Sequence, residues 1–169
     1  MLKVIRLSRY KFDKEHIQHN VTFSVSGLFN DEKDVIDENV RIMTILLESL
    51  FPNSIKIESL KVSARPALES GKILSNLNAL NREPRFSVGE EIAFDSLKDI
   101  MLYCYIKGLE LELDIIDIKN QHVTAVVNKD IQSFHYIYGT PETFTKEYLG
   151  TIKKKLKDCT FDGSFRKTL

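Results

Sequence analysis

Three carboxylates recur at alternate positions near the middle of the chain, where they could bind a cation or a basic partner. Glu110, Glu112 and Asp114 alternate with leucines, which is the period of a half-buried β-strand. On such a strand the leucines face a core, and the acids share the other face with about 6–7 Å between successive residues. We expect a lysine on a neighbouring strand or another segment to neutralise this face in part. Glu110 and Glu112 are predicted to contact a partner.

Asp117 and Lys119 follow the same strand and form the (Asp or Glu)-x-Lys pattern of restriction-type nucleases. In those enzymes two carboxylates hold a divalent metal ion that activates water, and the lysine stabilises the developing charge. The pattern needs a further carboxylate on a neighbouring strand, whereas Asp114 precedes it on the same strand. A metal-dependent phosphoesterase or nuclease that uses Asp114, Asp117, Lys119 and His122 is therefore an alternative hypothesis. No catalytic set, metal site or cofactor is predicted.

His122 and Thr124 have the His-x-Thr spacing of the two-histidine phosphoesterases, in which two such motifs hold one phosphate group. The histidine acts there as a general acid or base, and a hydroxyl two residues along the same strand faces the same way. The upstream candidate, His19, is followed by a threonine three residues later, at Thr22, which lies on the opposite face of a strand. The sequence therefore favours a histidine at a strand end, beside a turn.

Four lysines cluster near the C-terminus: Lys153, Lys154, Lys155 and Lys157. Apolar residues every fourth position from Phe144 to Leu156 predict a helix that ends among these lysines, where cations are favoured by the helix dipole. Thr140, Pro141 and Glu142 predict its start. No aromatic residues or glycine-rich loop accompany the lysines, as a binder of single-stranded nucleic acid would need. We predict that they contact a protein, with nucleic acid as an alternative.

The remaining periodicities predict the other elements. Strands are expected over residues 2–12, 20–29, 55–62, 85–94, 109–116, 122–127 and 131–138, and helices over residues 31–51, 70–84 and 95–107. The first two strands could pair, and those near residues 109, 122 and 131 favour an antiparallel meander. The prediction is an α+β fold: one domain over residues 1–159, with a mixed or mainly antiparallel sheet of about seven strands and about four helices, and a C-terminal tail over residues 160–169.

Composition limits the function classes. The chain has 169 residues, 43% apolar and 28% charged, with no net charge, which is ordinary for a globular protein. Residues 1–30 and 133–169 each carry a charge of +3, whereas residues 86–132 carry −5, so the overall basic field of a non-specific nucleic-acid binder is absent. Two distant cysteines, Cys104 and Cys159, and an N-terminus without a continuous apolar run predict a soluble cytoplasmic protein.

These observations favour a non-enzymatic interaction protein, an accessory or inhibitory module that presents a complementary surface to a macromolecular partner. Enzymatic activity and the oligomeric state stay open.

Overall fold

The fold is described from a computed structural model. It describes residues 2–11, 17–26, 32–51, 55–63, 91–92, 97–99, 101–102, 110–116, 122–129, 134–139 and 143–163.

In the part of the chain that the structure describes, eight strands form one sheet: β1 Leu2–Lys11, β2 Ile17–Ser26, β3 Ile55–Ser63, β4 Glu91–Ile92, β5 Glu110–Ile116, β6 His122–Lys129, β7 Phe134–Gly139 and β8 Thr160–Gly163. Their order across the sheet is β4-β3-β5-β6-β7-β2-β1-β8. Neighbouring strands are antiparallel except β1 and β8, which are parallel. The sheet is therefore of mixed orientation, and the parallel pair lies at one edge.

Among the described residues, helix α1 extends over Glu32–Leu50 and helix α2 over Lys146–Lys155, and residues 97–99 and 101–102 are also helical. Helix α1 buries part of the apolar stripe that its sequence predicts, including Met43, Leu46 and Leu47. Helix α2 begins six residues later than Thr140, because Thr145 caps it: its side-chain oxygen accepts a hydrogen bond of 3.1 Å from the Tyr148 N–H. The helix therefore begins later than predicted, and the predicted start at residues 140–142 lies outside the described residues.

One face of the sheet packs against both helices. Leu7, Val21, Ile137 and Ala125 lie opposite one another across four successive strands, and all are fully buried. They belong to the same apolar core as the inner residues of α1 and α2. Burying each large apolar side chain contributes about 1.5–3 kcal/mol. A buried polar contact adds to this packing: the Tyr148 hydroxyl donates a hydrogen bond of 3.2 Å to the Leu46 carbonyl, which ties α2 to α1.

The predicted fold, an α+β domain with about seven strands and about four helices, is wrong in its element count. Within the described residues the sheet has eight strands, and helical residues are those of α1, α2, 97–99 and 101–102. Residues 160–163 form β8 where a tail was expected, because four residues are too few to show a period and a parallel partner is distant in sequence. The pairing of β1 with β2 and the meander of β5, β6 and β7 are confirmed. The single domain over residues 1–159 stays a prediction, and residues 164–169 and most of the segment 70–96 lie outside the described residues.

Candidate functional site

The backbone register assigns Glu110, Glu112 and Asp114 of β5 to the face of the sheet opposite the one that packs against α1 and α2. In the register, Glu112 lies opposite Lys61 of β3 and Val126 of β6, and Asp114 lies opposite Thr124. A lysine therefore occupies the cross-strand position that the sequence predicts for charge neutralisation. The Glu112 side chain is half-buried, so this acidic row is not fully exposed. The prediction that Glu110 and Glu112 bind a partner stays a prediction.

The residues of the nuclease alternative are only partly described. His122 is the first residue of β6 and directly precedes Val123, which lies opposite Ile115 of β5. In the register, His122 falls on the same face of the sheet as Thr124 and its cross-strand neighbour Asp114. Asp117 and Lys119, which complete that hypothesis, lie outside the described residues. Among the residues the structure does describe, no group of three or more histidine, cysteine, aspartate or glutamate side chains is arranged to hold a metal ion.

The two histidines of the phosphoesterase hypothesis lie on opposite faces of the sheet. Strand β2 places His19 on the same face as the buried Val21, and its ring lies 6.4 Å from that of Phe144, next to α2. The register of β6, β7 and β2 places His122 on the other face. The backbone register therefore assigns the two histidines to opposite faces of the sheet, which does not favour the paired-histidine hypothesis.

A third histidine, His135, is buried in the core, where it packs against Phe23 with 4.8 Å between ring centroids. Burial lowers its pKa to about 3, because a charged imidazolium loses its hydration there. The ring is therefore neutral at pH 7, far from the pKa that suits a general acid or base.

The lysines near the end of α2 have two different environments. The ammonium group of Lys153 lies 5.9 Å from the centroid of the Phe161 ring, within reach of a cation–π contact. Lys154, Lys155 and Lys157 are exposed, and none of them forms an ion pair with another described residue. We call these three residues the lysine end. The helix is oriented by Tyr148 and the other buried residues of its stripe, so the lysine end faces outward because the opposite face is anchored.

Beside the lysine end lies an ion network of four residues, Lys3, Glu38, Arg41 and Asp158. The Lys3 ammonium lies 2.8 Å from a Glu38 carboxylate oxygen and 2.7 Å from an Asp158 oxygen. The Arg41 guanidinium donates to both Glu38 oxygens, at 2.9–3.1 Å, and to Asp158 at 2.8 Å. Each cation thus bridges both acids, and β1, α1 and the turn after α2 are joined at one point.

Charge pairing in the network shifts the pKa of every member. Hydrogen bonds from Lys3 and Arg41 lower the pKa of Asp158 to about 2. Partial burial raises the pKa of Glu38, but the hydrogen bonds from Arg41 and Lys3 together outweigh it, so the net change is downward. The same bonds raise the pKa of Lys3 and of Arg41. All four groups are consequently charged around neutral pH, and the network holds over a broad pH range.

The network forms one wall of an open hollow of about 400 Å³, lined by Lys3, Asp34, Asp37, Glu38 and Asp158. Asp34 and Asp37 are exposed on the first turns of α1, and neither forms an ion pair with another described residue. We call this feature the acidic hollow. Because Lys3 and Arg41 already neutralise Glu38 and Asp158, the unpaired negative charge comes from Asp34 and Asp37. The acidic hollow adjoins the lysine end, since Asp158 lines the hollow and directly follows Lys157.

Sequence patterns did not identify the network or the hollow. Lys3 and Asp158 are 155 residues apart, and no local period relates two such positions. The sequence does predict the lysine end, because its residues lie close together in the chain, at the end of a helix whose apolar period is local. Comparison with protein-family models, characterised proteins and solved structures finds no match to this chain. In the described parts of the chain, no helix combines the length and the hydropathy needed to cross a bilayer.

Proposed function

We propose that this chain is a non-enzymatic interaction protein, an accessory or inhibitory module that binds a partner protein through the lysine end. The observation that carries the proposal is the exposure of Lys154, Lys155 and Lys157 without an ion pair among the described residues, directly beside a network whose cations are all paired. Cations left unpaired on an anchored helix are available to an acidic surface, and they can steer it during association.

The surroundings of the lysines favour a protein over nucleic acid as the partner. A phosphate backbone presents regularly spaced negative charge along its whole length, and it would approach the carboxylates of the acidic hollow together with the lysines. A folded protein can place acids opposite the lysine end and neutral or basic groups opposite Asp34 and Asp37. The aromatic ring described next to the lysines, that of Phe161, is half-buried and has the Lys153 ammonium over it, so it offers little surface for base stacking.

We place the protein in the cytoplasm as part of the same proposal. The chain has two cysteines in 169 residues, and Cys159 is a free thiol. Burial and the neighbouring Asp158 raise the pKa of that thiol to about 11, which keeps it protonated and unreactive. A free, unreactive cysteine suits a reducing compartment. Fractionation of host cells, with the chain detected by antibody, tests this location, and recovery from an extracellular or membrane fraction would contradict it.

The test of function is partner capture with a set of lysine variants. Tagged full-length chain is incubated with nuclease-treated extract of its native host, and the retained proteins are quantified by mass spectrometry. A variant with Lys154→Gln, Lys155→Gln and Lys157→Gln removes three charges, whereas the matched variant with arginine at the same positions keeps them. We expect one protein to be retained by the wild type and by the arginine variant, and to be lost with the glutamine variant.

Two further measurements make the result decisive. Lys146→Gln removes an exposed charge from the other end of α2 and should leave capture unchanged. Wild type and glutamine variant should also unfold at nearly the same temperature, because exposed charges contribute little to stability. Retention of the same proteins by all variants would contradict the proposal. Recovery of nucleic acid in place of protein from untreated extract, with an affinity that falls steeply with salt, would replace it with the nucleic-acid alternative.

A further inference from the structure

We propose that, in the absence of another partner, two copies of this chain form a symmetric dimer in which the lysine end of each copy contacts the acidic hollow of the other. The inference rests on the proposed function to the extent that it uses the same three lysines. It adds a defined binding partner, a second copy of the chain, and a second surface, centred on Asp34 and Asp37.

Charge complementarity within one chain is the first argument. The lysine end carries three exposed cations, and the acidic hollow carries two exposed carboxylates. None of these five groups forms an ion pair with another described residue. Asp34 and Asp37 are three residues apart on α1, so they lie on one side of the helix about 5–6 Å from each other. The long, flexible lysine side chains can reach two carboxylates at that distance.

The position of the two surfaces is the second argument. A two-fold symmetric interface brings the same patch of both copies together, so the patch must be complementary to itself. The lysine end and the acidic hollow satisfy this condition because they adjoin at Asp158. A two-fold axis that passes near Asp158 would place each basic surface opposite an acidic one, and both contacts would form at once.

Rigidity of the surface is the third argument. The ion network ties β1, α1 and the turn after α2 together through contacts of 2.7–3.1 Å. The acidic surface on α1 and the basic surface at the end of α2 are thereby held at a fixed separation. A preorganised pair of surfaces loses less conformational freedom on association than two independently moving ones.

The contact involves exposed charges, so we expect a weak dimer that depends on salt. Sedimentation velocity of the purified full-length chain, from micromolar to near-millimolar concentration, should show a monomer–dimer equilibrium at low salt. In 1 M NaCl the Debye length falls to about 3 Å, and the dimer should dissociate. Species larger than a dimer would indicate a head-to-tail contact and would overturn the symmetric arrangement.

Charge reversal provides the decisive test. One variant carries Lys154→Glu, Lys155→Glu and Lys157→Glu, and the other carries Asp34→Lys and Asp37→Lys. Each alone places like charges opposite one another in both contacts, and its dimer dissociation constant should rise by about tenfold or more. An equimolar mixture of the two restores opposite charges in both contacts, so a heterodimer should form. A head-to-tail contact between the same two surfaces would also make the mixture associate, but it would form species larger than a dimer, so the size of the complex distinguishes the two arrangements.

The controls separate failure of folding from failure of the proposal. Lys146→Glu and Glu147→Lys change exposed charges at the opposite end of α2 and should dimerise like the wild type. If glutamates at the helix end unfold the chain, through their unfavourable position in the helix dipole, the glutamine variant of the lysine end tests the contact by removing its positive charges, and its dimer dissociation constant should also rise. A monomeric wild type at every concentration and at low salt would overturn the dimer but leave the proposed function standing, because partner capture measures that separately. Dimers that are insensitive to salt and to both reversals would also overturn it.

Discussion

Replacing Asp158 with asparagine should destabilise the fold by about 1 kcal/mol at neutral pH. The substitution keeps the size of the side chain but removes the charge that Lys3 and Arg41 share. Complete conversion of the pKa change, from 3.8 to about 2, gives an upper limit of roughly 2–3 kcal/mol. Because 48% of the side chain is exposed, solvent screening reduces the value toward that of a good surface ion pair, about 1 kcal/mol.

The pH dependence of this loss follows from the direction of the pKa change. A carboxyl group whose pKa is lower in the folded state stabilises the fold above its unfolded pKa, and the contribution disappears as the pH falls through the folded pKa. The wild type should therefore be more stable than Asp158→Asn by a constant amount above about pH 4. Between about pH 4 and pH 2 the difference should shrink toward zero.

Urea unfolding followed by circular dichroism, extrapolated to water at several pH values, measures this difference. The matched control is Asp37→Asn, which removes an exposed carboxylate of the same hollow that forms no ion pair with another described residue, and it should change stability by less than about 0.5 kcal/mol. If both variants lose the same stability, or if the loss for Asp158→Asn persists unchanged to pH 3, the network does not act through the charge of Asp158.

Three further predictions concern packing and hydrogen bonds. Gly139→Ala should destabilise by about 1–3 kcal/mol, because a new Cβ atom would lie 2.7 Å from the Thr143 side chain. Gly150→Ala on α2 should stabilise by about 0.5–1 kcal/mol, because a new Cβ atom there would meet no atom within 4 Å apart from its chain neighbours and the backbone of its own helix. Melting temperatures that move in the same direction would contradict this. Tyr148→Phe should cost about 1 kcal/mol in urea unfolding, since it removes the hydrogen bond to α1, and an unchanged midpoint would show that the bond contributes nothing. Thr145→Ala should cost about 1 kcal/mol through loss of the N-cap, and hydrogen exchange should accelerate in the first turn of α2 but not in α1.

The parts of the fold that could be predicted from sequence are those with a local period. The alternation of Val21, Phe23 and Val25 predicts which face of β2 is buried, and all three are buried. The apolar stripe of α1 and the meander of β5, β6 and β7 were predictable for the same reason: each depends on neighbours within a few positions or on the next strand in the chain. The start of α2 was placed too early because Thr140 and Thr145 both have the chemistry of an N-cap, and local pattern does not decide between them.

Strand β8 had no such signal. Thr160, Phe161 and Asp162 pair with residues of β1 that are more than 150 positions earlier, and β8 exists because β1 offers it an edge and Arg6 pairs with Asp162 at 2.9 Å. The sequence of a four-residue segment carries only a small β-propensity. It does not reveal that β1 offers an edge at which the segment can pair. A strand whose stability comes mainly from a distant partner is therefore missed when each segment is assessed alone.

The candidate site likewise has one part that could be predicted from the sequence and one part that could not. The lysine end was visible in the sequence because its residues are close together, whereas the acidic hollow required the structure, since its residues come from β1, α1 and the turn after α2. The distinction affects the inference of function. A lysine cluster alone does not discriminate among nucleic acid, an acidic protein and solvent. Our proposal of a protein partner depends on the position of the same cluster beside Asp34 and Asp37, which gives this surface charges of both signs. That position follows from the long-range contacts of Asp158, which composition and periodicity do not reveal.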